Sequence, residues 1–261
     1  MKVAEKVEEL WEYYTQKKFR EIQEFYNNKQ NNNEANENIK ELYYLSLIET
    51  NPNEVKVKTN GIFKELLEAM IDYYSKNYHY SARKLSTWIL TKGYYSDWII
   101  ERFFDSAKKS QQYDTIIRVA NSFLKKGILK ILYVKELFHA YYKLKDYQKA
   151  LEVFEQYREV FDDEDLFHVG LIYLKTRKYK EAERVLLAVY KKITGKEYLN
   201  HYDKYESYYK QKYQELKQKY LQNQLETYKE LSEYGMACLF SGDYRTALNI
   251  FTTLKKELTE K

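Results

Sequence analysis

Residues 131–191, ILYVKELFHAYYKLKDYQKALEVFEQYREVFDDEDLFHVGLIYLKTRKYKEAERVLLAVYK, carry one pattern written twice. The first copy sets Val134, Leu137 and Tyr141 on one helical face, turns at Lys145-Asp146, and resumes with Tyr147, Ala150, Phe154 and Tyr157. The second sets out Leu166, Val169, Gly170 and Tyr173, turns at Arg177-Lys178, and resumes with Tyr179, Ala182, Leu186 and Val189. Apolar residues at steps of three and four mark amphipathic helices, and the short polar turns fold each copy into a helical hairpin. A hairpin of this length cannot bury its own apolar faces. Successive hairpins therefore lean on one another, which predicts an all-α solenoid whose broad surface binds another macromolecule.

Working outward, the tyrosine that opens the second helix recurs at Tyr78, Tyr113, Tyr147, Tyr179 and Tyr244, at intervals of 35, 34, 32 and 65 residues, the last close to two repeats. A small or apolar residue follows at Ser81 or Ala82, Ile116, Ala150, Ala182 and Ala247, and an apolar one at Leu85, Ala120, Phe154, Leu186 and Phe251. This spacing resembles the tetratricopeptide repeat, a helix–turn–helix of about 34 residues with small residues where its two helices cross. Ala150, Ala182, Ala247, Gly170 and Gly235 fall on those small positions. The resemblance is fullest over Leu132–Tyr190 and Leu231–Leu254, partial over Ser96–Lys126, and weak before Asn77. It implies a right-handed α–α superhelix of divergent repeats. Phe104 and Phe138 stand where the family prefers glycine or alanine, so the packing there must be wider or rotated. The proline that commonly ends a repeat is missing, Pro52 aside.

Lys2–Gln16 and Lys18–Asn28 read as a first hairpin, followed by seven asparagines between Asn27 and Asn38 that mark a solvated loop. Helical spacing resumes over Ile39–Thr50, stops at Asn51-Pro52-Asn53, and restarts after Thr59-Asn60-Gly61 with Ile62 to Tyr74. The expected organisation is N-terminal hairpins over residues 1–50 and a repeat array over 59–261. Near residues 197–240, Tyr198, Tyr202, Tyr205, Tyr209, Leu216, Tyr220 and Leu231 recur mostly at steps of three or four, with no glycine or proline before Gly235. One unusually long helix, or a pair of helices, is expected there, serving either as a docking arm or as a spine that fills the array's groove near Tyr205 to Leu225.

The totals narrow the class of function. Thirty tyrosines and 17% aromatic residues give ample surface to bury, and a single proline leaves helices uninterrupted. A net charge of +5, from 44 basic and 39 acidic residues, is too balanced to point to nucleic acid. On the long segment, Lys210, Lys212, Lys217 and Lys219 are nearly cancelled by Glu206, Glu215, Glu226 and Glu230. The N-terminal stretch has no apolar run of signal-peptide length and no segment approaches a membrane span, so the sequence as it stands predicts a cytoplasmic protein. If a signal had been trimmed, a periplasmic or cell-envelope location would follow.

No catalytic constellation is apparent. His79, His139, His168 and His201 are scattered, the glycines are isolated, and Cys238 lies on an apolar helix face. Asp162-Asp163-Glu164-Asp165 reads as an acidic helix cap, with no glycine to shape a calcium loop. The expectation is a non-enzymatic adaptor or scaffold with no cofactor, metal or small-molecule substrate, and with a peptide or helix of another protein as partner. A cell-envelope assembly factor, a peptide-sensing regulator and a nucleic-acid-binding repeat protein are the alternatives. The asparagine, lysine and tyrosine bias suggests a bacterial setting.

In the resembled family the first helix of each repeat lines a concave groove, and the positions between its packing residues touch the partner. That resemblance implies partner-binding roles for Trp98, Glu101 and Asp105 in one repeat, Lys135, His139 and Tyr142 in the next, and Phe167 and Leu171 in the third. The carboxylate-clamp variant of the family needs cations at such places. Glu101 and Asp105 would repel a carboxylate terminus, which argues against that role.

Overall fold

One turn geometry recurs through the chain. The structure, a computed structural model, describes residues 2–30, 36–52, 59–128, 130–194 and 202–259, which form fourteen α-helices and no strand. The helices are α1 (Lys2–Thr15), α2 (Phe19–Gln30), α3 (Glu37–Thr50), α4 (Lys64–Tyr74), α5 (Tyr78–Thr91), α6 (Asp97–Lys109), α7 (Tyr113–Lys125), α8 (Ile131–Lys143), α9 (Tyr147–Gln156), α10 (Asp163–Lys175), α11 (Tyr179–Thr194), α12 (Tyr202–Leu221), α13 (Tyr228–Phe240) and α14 (Tyr244–Thr259). They divide into two compact units, Met1–Leu144 and Lys145–Lys261.

At six places a first helix ends, one residue turns left-handed, and two residues later an aromatic residue opens the next helix. The left-handed residues are Lys17 (φ 59°), Lys76 (63°), Gln111 (58°), Lys145 (63°), Arg177 (60°) and Gly242 (81°). The aromatics are Phe19, Tyr78, Tyr113, Tyr147, Tyr179 and Tyr244. At five of the six, the next N–H donates to the carbonyl five residues back: Lys18 to Tyr13 (2.9 Å), and Asn77 to Asp72, Gln112 to Ala107, Lys178 to Tyr173 and Asp243 to Cys238 (2.8 Å each). These bonds satisfy carbonyls that the helix end would leave open. A non-glycine residue in this conformation costs about 1–2 kcal/mol, which burial of the flanking helices in their own units must offset. The register reaches back to Phe19, further than the tyrosine spacing alone could follow.

Side-chain size at two positions sets how closely a hairpin closes. One lies nine residues before the opening aromatic, the other three after it. Where both are small, as at Ala69/Ser81, Gly170/Ala182 and Gly235/Ala247, the paired helices α4–α5, α10–α11 and α13–α14 run close together along their length. Where both are large, as at Leu10/Ile22 and Phe104/Ile116, α1–α2 and α6–α7 meet over a shorter stretch, and α2 and α7 pack mainly on the following first helices, α3 and α8. The looser crossing at Phe104 accords with the wider or rotated packing expected there, because the geometry of a helix pair follows the side chains at its contact. The close crossings leave no spare room. A Cβ on Gly170 would sit 2.5 Å from Leu186 Cδ2, and one on Gly235 would sit 2.9 Å from Phe251 Cζ.

The 65-residue interval before Tyr244 has a different cause from the two repeats it resembles. The rings of Tyr179 and Tyr244 are stacked, with centres 3.6 Å apart and planes at 5°. Helix α11 packs on α13 and α10 on α14, so these two hairpins are spatial neighbours and α12 is an insertion between them. Of the two readings of this segment, one long helix or a pair, the structure has the pair. Helix α12 is 20 residues long and ends at a turn with Asn223 left-handed (φ 54°), and Thr227 and Glu230 form a capping box that starts α13. Tyr205 and Tyr209 of α12 are buried, Tyr209 stacking on Phe240 at 5.5 Å, and Lys210, Lys212 and Lys219 each pair with a glutamate. Burial raises the Tyr209 phenol well above its ordinary value. These tyrosines pack the unit and offer no stacking face to bases.

Asn27 and Asn28 belong to α2 and Asn36 caps α3 by accepting from Ile39 N–H at 3.0 Å; the rest of the asparagine run up to that cap lies outside the described residues or at the end of α2. Gly195 and Tyr198 also lie outside them. No described helix is long and apolar enough to cross a membrane.

Candidate functional site

Within the first unit, the C-terminal ends of α1, α3 and α4 meet the middle of α6 around a cluster of aromatic rings and charges. Burial of the apolar faces brings these ends together: Leu10, Leu45, Met70, Ile99 and Phe103 are all inaccessible to solvent. The polar groups beside them must then satisfy one another. Glu49, from the last turn of α3, accepts from Arg102 Nη2 at 2.6 Å, from Tyr74 OH at 2.7 Å and from Tyr14 OH at 3.4 Å. Arg102 also donates through Nη1 to Tyr74 OH at 2.6 Å.

The guanidinium lies 5.0 Å from the ring centres of Tyr73 and Tyr74 and 5.2 Å from that of Trp98. Trp98 is fixed in turn. Its indole N–H donates to the Thr15 carbonyl at 3.2 Å, and Tyr14 meets it edge-on at 4.9 Å. On the next turn of α6, Asp105 accepts from Tyr73 OH at 3.0 Å and from Lys109 Nζ at 2.7 Å.

Burial dominates the electrostatics. It raises the Glu49 carboxyl above its ordinary value, while Arg102 and the hydroxyls of Tyr74 and Tyr14 pull the other way. Tyr74 is pushed up to about 12, first by burial and then by the Glu49 charge. A pair removed this far from water gains specificity of position more than net stability, and removing one partner strands the other. The result is a cation held in one place by an ion pair, a phenol and three ring faces.

An open cavity of about 380 Å³ lies over this cluster, lined by Lys17, Tyr73, Tyr74, Trp98, Glu101, Arg102 and Asp105. Trp98, Glu101 and Asp105, one turn apart on α6, therefore face a single site. Trp98 is buried at 7% exposure, Asp105 is half-buried, and Glu101 is exposed. His139 lines a second cavity of about 290 Å³ in the same unit, with Lys108, Tyr113, Glu136 and Lys143, where Lys108 pairs with the buried Glu136. Lys135 and Tyr142 are half-buried on α8 and line neither cavity.

The two expected residues of the second unit are placed differently. Phe167 meets Phe251 of α14 edge-on at 5.9 Å and is half-buried. Leu171, expected at an exposed groove position, is buried at 1%. The reason is that α10 is covered by α9, α11 and α14, so every residue from His168 to Leu174 is buried. Leu171 is core.

Lys17, Glu49, Tyr73, Tyr74 and Arg102 escaped the sequence reading. A local signal existed for Arg102, which sits one helical turn beyond Trp98. None existed for its partner Glu49, 53 residues away. Elsewhere, Cys238 is buried and its thiol is pushed up to about 12 by burial, the opposite of an activated nucleophile. No group of three or more histidine, cysteine, aspartate or glutamate residues among the described residues could hold a metal ion. No protein-family model matches the chain, and comparison with curated proteins and with solved structures found no match.

Proposed function

We propose that the chain is a non-enzymatic interaction protein that takes a peptide or helix of a partner protein on the first helices of its hairpins, with the cavity over α6 as the principal contact. The observation that carries this reading is convergence. Three residues singled out on α6 by repeat register line one open, aromatic-walled cavity whose central cation is already fixed. Binding there orders few side chains of the host, and rigid aromatic anchors beside fixed charge are the usual source of affinity at protein interfaces. Kinship with the tetratricopeptide repeat, and a right-handed superhelical course, are part of the same proposal. The shared left-handed turn and the small pairs Gly170/Ala182 and Gly235/Ala247 support them.

The test is crosslinking in the cells that make the protein. A photo-reactive benzoylphenylalanine at position 101 is expected to give a light-dependent adduct of discrete mass with one partner protein, and Trp98→Ala is expected to abolish it. The same group at exposed Asn249 in the second unit should give no such adduct. Equal adducts at both positions, or none at 101, would overturn the assignment.

A further inference from the structure

The cavity over α6 contains more charge than its ion pairs consume. Arg102 is matched by Glu49 and Asp105 by Lys109. Two lining residues remain, Lys17 and Glu101, and neither has an ion-pair partner among the described residues. Lys17 stands at the left-handed position of the α1–α2 turn, exposed, and its charge acts on Glu49 from outside the pair. Glu101 projects from the middle of α6, also exposed. The cavity thus offers one unspent cation and one unspent anion around an aromatic floor formed by Tyr73, Tyr74 and Trp98.

We infer that the cavity reads a polypeptide segment carrying one acidic and one basic side chain at a set spacing, the acid meeting Lys17 and the base meeting Glu101. This rests on the peptide-binding reading above and specifies its ligand. A purely acidic guest would satisfy Lys17 and be repelled by Glu101, and a purely basic guest would meet the reverse, so single-sign partners are selected against at the same two residues. A cavity of about 380 Å³ lies at the small end for ligand sites, enough for a few side chains and too small for a whole helix.

The experiment pans a random dodecapeptide library, displayed on its own messenger RNA, against the full chain and against Lys17→Glu, Glu101→Lys and the double reversal. Each protein is first shown by circular dichroism to keep the parental helicity and melting midpoint. The wild-type chain is expected to enrich peptides with an acid and a base at one spacing. Each single reversal should weaken the leading peptide by about tenfold, the size expected for one charge pair at a partly desolvated rim. The double reversal should enrich peptides with the two charges in exchanged order.

Enrichment that is lost in Trp98→Ala but indifferent to both charge reversals would overturn the charge assignment and leave the peptide-binding reading standing. No enrichment by the wild-type chain would overturn both.

Discussion

Hairpins α6–α7 and α10–α11 are built on the same turn and opened by the same residue type, yet they close differently. In α6–α7 the crossing holds Phe104 and Ile116, and the helices meet over a short stretch. In α10–α11 it holds Gly170 and Ala182, and they run together along their length. The polar environments differ too. Helix α6 carries a charged, aromatic-walled cavity on its exposed side, whereas α10 is buried from His168 to Leu174. Two side chains per hairpin thus decide its closure without changing its register. A repeat pattern therefore specifies where helices turn more firmly than how near they lie.

The comparison can be broken most forcefully at Phe104. If its ring is the spacer that α6–α7 is built around, Phe104→Ala leaves a void and should cost about 3–5 kcal/mol in urea-unfolding free energy. A loss below ~1 kcal/mol would mean that the helices simply close up, as α10 and α11 do.

The buried pair beside it comes next. Arg102→Ala should cost about 3 kcal/mol at neutral pH by stranding the Glu49 carboxylate, whose side chain is 3% exposed, whereas Glu49→Gln should cost less, because the Arg102 cation it strands is 22% exposed and keeps Tyr74 OH and its ring faces. The sign with pH follows from the raised native value of Glu49. Arg102 is the strongest of the groups that hold the Glu49 carboxyl down against burial, so without it the native carboxyl takes up its proton at higher pH than in the wild type, and the Arg102→Ala deficit should be full at neutral pH and shrink as acid protonates Glu49. A deficit independent of pH would contradict it.

On the tight side, Gly170→Val must push Leu186 aside and should cost about 1–3 kcal/mol by overpacking, while the same change at exposed Gly93, with no atom near its Cβ, costs only its left-handed strain. Smaller again is the capping contrast. Asp162 caps α10 by accepting from Glu164 and Asp165 N–H, whereas the Ser96 side chain makes no cap bond at α6. Asp162→Ala should cost about 1 kcal/mol in a thermal melt, and Ser96→Ala almost nothing. Smallest in energy, the Cys238 thiol should react with iodoacetamide only as the second unit unfolds, because burial holds it protonated. Rapid labelling of the folded chain would show that α13 opens.

Much of this was written locally. Tyr78, Tyr113, Tyr147, Tyr179 and Tyr244 do open helices, Gly170 and Gly235 do lie at close crossings, and Asp162–Asp165 does cap α10. Each is read from neighbours a few residues away, within the reach of helical periodicity. The site was legible only in part. Trp98, Glu101 and Asp105 share a helical face and so appear together, but Leu171 occupies the equivalent register on a helix that three others cover. Register gives the direction of a side chain from its own axis and is silent on what stands opposite.

The sequence by itself determined that the chain folds into helices, where the hairpins opened by Tyr78, Tyr113, Tyr147, Tyr179 and Tyr244 turn, and which crossings could be close, because those properties depend on residue spacing and side-chain volume. Only the tertiary structure decided that α12 is an insertion between neighbouring hairpins, that Glu49 meets Arg102 across 53 residues, and that α10 is sealed while α6 is open. Those outcomes depend on which helices become adjacent. Adjacency is set by the summed burial of many faces at once, which no single stretch of the chain encodes.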